Sequence, residues 1–247
     1  MATEQNSSGW PRSAAVFGAS GGIGAALCEA LAAGGTAVLY AGSRSGAAPE
    51  GEGIRPFAFD LADEASIAAA AATMRAKPPA CVIVATGVLT LPDGTGPERS
   101  YKKLEAASMA EVFALNTIGP ALIAKHILPL MPRGAPFTFA ALSARVGSIS
   151  DNRLGGWHSY RASKAALNML LRNFALEMAR THPESVIVGL HPGTVDSALS
   201  APFQSGLAEG QLTAPEAAAA NLIGVLARLT PAQSGRVFDF RGEEIPA

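Results

Sequence analysis

The sequence predicts an α/β protein in which a parallel sheet is covered by helices, and three observations carry that expectation. Short apolar runs alternate with amphipathic stretches along nearly all of the 247 residues, the signature of repeated βαβ units. A glycine-rich turn, GASGGIG at residues 18–24, separates the first apolar run from the first amphipathic one. With 49% hydrophobic residues, the chain can fill one sizeable core.

The elements follow in order. A strand over 12–18 (RSAAVFG) leads to a helix at about 22–34, and a second strand is expected at 36–41 (TAVLYA). The third strand, 54–59 (IRPFAF), follows GSRSGAAPEGEG, about the shortest parallel crossover and too rich in Gly and Pro for a helix. The helix between strands two and three is therefore expected to be missing or vestigial. A helix over 63–77, started by Asp60 or Ala62, precedes the fourth strand at 80–85 (ACVIVA). Helices over 106–131, 157–181 and 214–229 alternate with strands at 136–142 (PFTFAAL), 185–190 (SVIVGL) and 235–239 (GRVFD). Thr213-Ala214-Pro215 places proline in the first turn of the last helix, where its missing N–H costs nothing. Seven parallel strands would make one sheet. No repeat or linker divides the chain, so one domain over 1–247 is expected, with the first ten residues or so mobile.

Composition excludes several classes of function. A formal net charge of -1 gives no basic footprint for nucleic acid or an anionic membrane surface. The apolar stretch PALIAKHILPLM is broken by Lys125, His126 and two prolines, short of the roughly 18 residues of a membrane span. MATEQNSSGWPR lacks the basic and apolar regions of a signal peptide, and a soluble, cytoplasmic protein is expected. Cys28 and Cys81 read as buried thiols, since two such cysteines make neither a disulfide framework nor a metal site. His126, His158, His182 and His191 are scattered without ligand spacing, so no metal is expected.

What remains is a small ligand held by a few specific groups. Gly18, Gly22 and Gly24, with Ser20, Gly21 and Ile23 between them, form a GxxxGxG turn from strand to helix. Glycines let the backbone approach a pyrophosphate, and the helix amino end offers free N–H groups and positive dipole. A tight turn alone would also recruit glycine, but the strand-turn-helix context is the one a dinucleotide cradle requires. Beyond the second strand, an acidic residue would select NAD through the ribose 2′-OH and an arginine NADP through the 2′-phosphate. The chain offers Ser43 and Arg44 and no carboxylate before Glu50, which favours NADP(H), with NAD(H) as the alternative. Asp60-Leu61 after the third strand and Ala85-Thr86-Gly87 after the fourth would lie along the same ligand; Asp60 also suits an N-cap.

Tyr160 and Lys164, in SYRASKAALN, stand one helical turn apart, about 6 Å along the axis. A free phenol has a pKa of about 10, and a nearby ammonium can lower it by roughly 1 to 3 units. Tyr160 is therefore a candidate acid/base for a carbonyl oxygen. Ser143, at the carboxyl end of the fifth strand, is a candidate donor to the developing oxyanion.

In order, GASGGIG, ATG at 85–87, Leu115-Asn116, Ser143, YRASK at 160–164 and HPGTVDS at 191–197 resemble the single-domain short-chain dehydrogenase/reductase family. SARVGSI, GGW, SYRASKAALN and SGRVFDFRGEEIP look like its branch of C-factor-like proteins and carbonyl reductases. The resemblance, which covers 12–240, implies a doubly wound Rossmann-type sandwich and a tetrad of Asn116, Ser143, Tyr160 and Lys164. It implies that Lys164 binds the nicotinamide ribose and lowers the tyrosine pKa. Asn116 would hold a kinked helix and a relay water. Pro192, Gly193, Val195 and Ser197 match the segment that cradles the nicotinamide. Two departures stand out. Val84-Ala85-Thr86-Gly87 replaces the usual Asn-Asn-Ala-Gly, and the 17-residue interval from Ser143 to Tyr160 is long enough that Ser148 competes for the serine role.

Arg145, Trp157, His158 and Phe203 are candidate substrate contacts, the two aromatic residues forming an apolar wall. Residues 197–213 read as a mobile flap. The helix over 157–181 is apolar around much of its circumference, which predicts burial on a second side, and the family resemblance implies that such helices pair in a homodimer or homotetramer. The expected activity is hydride transfer between NADP(H) and a carbonyl or alcohol. The alternative is a nucleotide-binding signalling or sensor protein in which catalysis is incidental.

Overall fold

The computed structural model describes residues 10–205 and 210–247. Strands β1 (Ser13–Phe17), β2 (Val38–Ser43), β3 (Ile54–Ala58), β4 (Cys81–Val84), β5 (Thr138–Leu142) and β6 (Val186–His191) all run parallel. A two-stranded parallel ribbon, β7 (Thr194–Val195) with β8 (Leu212–Thr213), stands apart. The chain then returns to the main sheet through β9 (Val237–Asp239), parallel to β6, and β10 (Glu244–Ile245), antiparallel to β9. The sheet order is β10-β9-β6-β5-β4-β1-β2-β3. All seven expected strands are present, and the sheet gains an eighth, antiparallel edge strand.

Because successive side chains point to opposite faces, each strand divides its apolar residues between two layers. Phe17, Val82, Val84, Phe139 and Ala141 face α2 (Glu64–Met74), α4 (Gly119–Ile127) and α5 (His158–Met178), and meet Ile67, Met74, Ile123, Ile127, Leu167 and Leu171. On the other face Val16, Leu39 and Ile83 pack on α1 (Gly22–Ala33), and Ala140, Val188 and Leu190 on α6 (Pro215–Leu226). The result is the expected doubly wound three-layer sandwich. Phe17, Phe57 and Phe59 stack under β1 and β3, with Phe17 edge-on to both others at 5.1 Å between centroids. Burial of each such ring contributes about 1.5–3 kcal/mol.

No helix joins β2 to β3, as the glycine- and proline-rich crossover predicts. Helix α2 starts at Asp63, whose carboxylate accepts from the Ala65 N–H at 3.0 Å. Asp60, the expected start signal, instead closes a tight turn on the Ala62 N–H at 2.9 Å. The helix expected over 106–131 is broken in register. A five-residue π-turn (Ala114–Ile118) joins α3 (Ala106–Phe113) to α4, and a single 3₁₀ turn ends the run at Leu130. By length and composition this run from Ala106 to Leu130 could cross a membrane. Within the fold its α4 portion packs on the sheet, and Lys125 and His126 both reach Glu64 of α2.

The mobility expected for residues 1–9, and the part of the flap at 206–209, lie outside the described residues. Trp10, expected to be mobile, is half-buried against the end of α1, where a side chain at Gly34 would collide with the indole at 2.3 Å. The flap also holds regular structure, since β7 and β8 frame its described part.

Candidate active site

Strand order reverses between β1 and β4, so the crevice for a ligand opens beyond their carboxyl ends. The glycine-rich turn lies there. Gly18 has φ +105, and a Cβ at Gly24 would sit 2.0 Å from the Gly18 carbonyl oxygen, so the turn can close on the first turn of α1 only with glycine at both positions. Gly21 is the N-cap of α1 and no side chain caps the helix, which leaves its first N–H groups free for an anion. Ser20, Gly21 and Gly22 are exposed, Ile23 packs inward with the core, and Ser197 of the segment after β6 approaches Gly22. Beside Gly18 lies Thr86, whose buried hydroxyl has no hydrogen-bond partner among the described residues. An orphaned buried hydroxyl beside uncapped helix N–H groups fits a phosphate-bearing dinucleotide.

At the end of β2, Ser43 is buried and its hydroxyl donates to the Ala47 carbonyl at 2.7 Å, so it shapes the crossover loop. Arg44, next along, is exposed and makes no ion pair among the described residues. Leu61 packs against Gly119 of α4, and Ala85 continues the β4 ladder by donating to the Phe17 carbonyl at 2.8 Å. Gly193 lies against the Phe240 ring, Pro192 is half-buried beside it, and Val195 is buried in β7.

Tyr160 is the third residue of α5 and Lys164 follows one turn later. The Lys164 Nζ lies 5.8 Å from the centroid of the Tyr160 ring and donates to the Leu142 carbonyl at 2.8 Å. Burial pushes the phenol up to about 12 and the ammonium down to about 8. The expected lowering of the phenol is therefore not present in this arrangement. The lysine meets the ring face while its hydrogen bond goes to Leu142, and desolvation disfavours both charged forms. Among the described residues the Tyr160 hydroxyl has no hydrogen-bond partner.

Asn116, fully buried in the π-turn, ties three elements together. Its Oδ1 accepts from the Val88 N–H at 2.8 Å, and its Nδ2 donates to the Val88 carbonyl at 2.9 Å and to Ser163 Oγ at 3.2 Å. A side chain at Gly87 would lie 3.1 Å from Asn116 Oδ1 and 3.2 Å from Lys164 Nζ, so these three residues converge. The extra residue of the π-turn presents the asparagine to the loop after β4, as such turns often do at functional positions.

Neither serine meets the phenol. Ser143 Oγ donates to Asn168 Oδ1 at 2.6 Å, one turn beyond Lys164, and Ser148 Oγ accepts from the Asp151 N–H at 3.1 Å. Arg145 pairs with Asp151 at 3.1 Å and with the buried Asp239 at 3.4 Å, so it braces the end of β9 rather than offering a free guanidinium to substrate. Burial, with Arg145 adding to it against the opposing pull of Asp239, holds His191 down to about 4. Cys28 and Cys81 are free, and burial pushes both thiols up to about 12. No metal-ligating cluster exists among the described residues.

The aromatic wall is assembled. Trp157 stands edge-on to Phe203 at 5.2 Å and to Tyr160 at 6.2 Å, with His158 half-buried as the first residue of α5. Trp157 has φ 49 and ψ 44, and Gly155 and Gly156 before it are also left-handed. Among the described residues Trp157 is the only non-glycine with positive φ, a conformation costing on the order of 1–3 kcal/mol. A cleft of about 490 Å³ opens beside Tyr160, lined by Leu89, Leu91, Val112, Glu98 and Ser159 among others. Thr86 stands where the sequence placed it along the ligand, whereas Glu98 and Asn168 were not foreseen as functional. Only the glycine pair before Trp157 signalled the left-handed turn.

Comparison with known proteins agrees with this geometry. The sequence model of the short chain dehydrogenases matches residues 12–208. The C-signal of Myxococcus xanthus is 36% identical over 144 residues, 58% of this chain and 81% of that protein. The 1-hydroxy-2-glutathionyl-2-methyl-3-butene dehydrogenase of Rhodococcus sp. (strain AD45) is 39% identical over 122 residues, 49% of this chain and about half (51%) of that enzyme. Among solved structures, NADPH-bound carbonyl reductase from chicken fatty liver superposes with a TM-score of 0.77 at 25% identity, covering 96% of this chain and 99% of that one.

Proposed function

The chain belongs to the short chain dehydrogenase family of nicotinamide-dependent oxidoreductases, and from that premise we propose that it is an NADP(H)-dependent carbonyl reductase or alcohol dehydrogenase with Tyr160 as its acid/base. One observation carries the reading: a half-buried phenol whose hydroxyl has no partner among the described residues stands beside a buried lysine at the crevice that also holds the glycine-rich turn. The proposal treats 1–247 as one domain.

Bound in the crevice, the nicotinamide would supply or accept the hydride. Gly18, Ser20, Gly21, Gly22, Ile23 and Gly24 would hold its pyrophosphate on the amino end of α1, with Thr86 offering its hydroxyl. Asp60, Leu61, Ala85 and Gly87 would line the adenine side, and Pro192, Gly193, Val195 and Ser197 the nicotinamide side. Tyr160 carries its proton at neutral pH, and because burial makes it a weaker acid it would give that proton to a carbonyl oxygen only as the arriving hydride puts negative charge there. In the reverse direction it must take a proton, and Lys164, driven towards neutrality by burial, is the adjacent group able to exchange one with it. Asn116 holds the Val88 main chain next to Gly87 and braces Ser163 of α5. Ser143, with its proton on Asn168, would stabilise the oxyanion only after its hydroxyl rotates.

Arg44 supports NADP(H) over NAD(H), as does likeness to a carbonyl reductase that binds NADPH. Trp157 and Phe203 support an apolar or aromatic carbonyl substrate. Exposed Ile118, Met169 and Leu176 on the α4–α5 side support a homodimer or homotetramer, which light scattering at micromolar concentration would test. A cytoplasmic location completes the reading.

Similarity to a protein named C-signal favours a second reading, a nucleotide-binding signalling protein with incidental turnover. The deciding experiment compares wild type, Tyr160→Phe and Arg44→Ala for NADPH and NADH oxidation against aldehydes, ketones and diketones. Turnover lost in Tyr160→Phe with NADPH still bound, and NADPH affinity alone weakened in Arg44→Ala, is the expected pattern. Tight NADPH binding with no turnover by wild type favours the signalling reading, and tighter NADH than NADPH binding overturns the cofactor assignment.

A further inference from the structure

We propose that Glu98 is a positioning residue for the Tyr160 phenol, acting through the amino end of α5. This rests on the reading of Tyr160 as the acid/base.

Helix α5 has 21 residues yet begins without a cap of its own. Its N-cap, Trp157, makes no side-chain capping bond, and no acidic residue stands in its first turn. The missing acceptors come from the loop after β4, 61 positions earlier in the chain. Glu98 Oε2 accepts from the Ser159 N–H at 3.1 Å, Glu98 Oε1 accepts from the Ser159 hydroxyl, and the Glu98 main-chain carbonyl accepts from the Trp157 N–H at 2.5 Å. A carboxylate thus satisfies orphan donors and places negative charge at the positive end of the helix dipole. Burial opposes its ionisation, but the Ser159 hydroxyl and N–H outweigh that and hold Glu98 below the usual carboxylate range.

Three features direct the effect to the phenol. Tyr160 follows Ser159, so it lies in the turn that frays when the acceptors are lost. Lys164 and Ser163 are anchored independently, through the Leu142 carbonyl and through Asn116 and Thr117, and the glycine-rich turn is on another element. Trp157, left-handed and with its N–H on the Glu98 main-chain carbonyl, adjoins Ser159, and its indole forms the wall between Tyr160 and Phe203. Glu98 also lines the cleft beside Tyr160, so the wall that would seat a substrate and the group that would protonate it meet at one residue, the wall through its main chain and the helix end through its carboxylate.

The test combines hydrogen exchange with kinetics on Glu98→Ala, Glu98→Gln and, as control, Tyr160→Phe. In Glu98→Ala, faster exchange is expected in a peptide spanning 157–163 with no change in one spanning 165–178, and NADPH affinity by fluorescence titration stays within about twofold. With NADPH and 4-nitrobenzaldehyde, kcat is expected to fall about 10- to 100-fold, as a small misplacement of a reacting group does. Glu98→Gln, whose single amide oxygen can accept one of the two bonds while its NH2 cannot accept the other, should restore part of the exchange protection and rate. Unchanged exchange at 157–163, or loss of NADPH affinity in step with kcat, would overturn the assignment. Full activity in Tyr160→Phe would instead overturn the acid/base reading, whatever Glu98 does. If the aldehyde is not turned over, the exchange pattern alone decides.

Discussion

Replacing Asn116 by alanine tests the claim that one buried amide holds the site's elements together. The substitution strands the Val88 N–H and carbonyl, now bonded at 2.8 and 2.9 Å, while Ser163 Oγ keeps its bond to the Tyr160 carbonyl at 2.8 Å. Each buried group left unpaired costs about 1–3 kcal/mol, so the loss should be about 2–6 kcal/mol. Set against a total of roughly 5–15 kcal/mol, this is a large fraction. For a chain of this size, about 2–4 °C per kcal/mol gives a fall of roughly 5–20 °C in the thermal midpoint. Denaturant unfolding with an unchanged m-value would give the free energy directly. A loss below about 1 kcal/mol would refute the reasoning, because it would mean that water or a shifted loop satisfies Val88 without the amide.

Gly24→Ala should abolish NADPH binding in a fluorescence titration or prevent folding, since its Cβ would lie 2.0 Å from the Gly18 oxygen; near-normal affinity would mean that the turn is not closed as described. Lys164, held down to about 8 in the fold against 10.5 when unfolded, binds fewer protons folded than unfolded between those values, so its contribution to stability rises from pH 8 to 10.5. Tyr160 has the opposite sign, losing stability from pH 10 to 12 as the unfolded phenol ionises first. Thermal midpoints should therefore rise with pH above 8 in wild type and less steeply in Lys164→Met; identical slopes would refute the burial of the ammonium. Arg145→Ala leaves the buried Asp239 without its ion pair and should lower stability by about 1–3 kcal/mol. KM should stay within about twofold of wild type, and a tenfold rise in KM would return Arg145 to the substrate site.

Strands β1, β4, β5 and β6 were legible because they are buried on both faces and so read as continuous apolar runs. The two-residue β10 carries no such pattern, and it was missed. The Tyr160–Lys164 pair was visible because a four-residue spacing on a helix is local information. Its electrostatics were not, since burial, which raises one group and lowers the other, is a property of the assembled fold. The irregular turn at Asn116 was expected only from the family resemblance, as a kinked helix, because the apolar periodicity runs through it without a break and only the bonds to Val88 mark the extra residue. Glu98 and Ser159 meet across 61 positions with no periodicity to link them. The cap was misplaced, since Asp60 or Ala62 was expected to start the helix that Asp63 caps, and local spacing does not fix a helix start to within three residues.

The helix-free crossover between β2 and β3 has a consequence for redesign. Residues 44–53 connect two parallel strands without contributing a layer to either face of the sheet. Arg44, on which the proposed NADP(H) preference rests, stands at the start of that segment. Exchanging this short stretch for one beginning with an acidic residue would leave the packing of the helices untouched. On the proposed reading, cofactor choice would be a modular property of the chain, separable from the helices and sheet that frame the crevice.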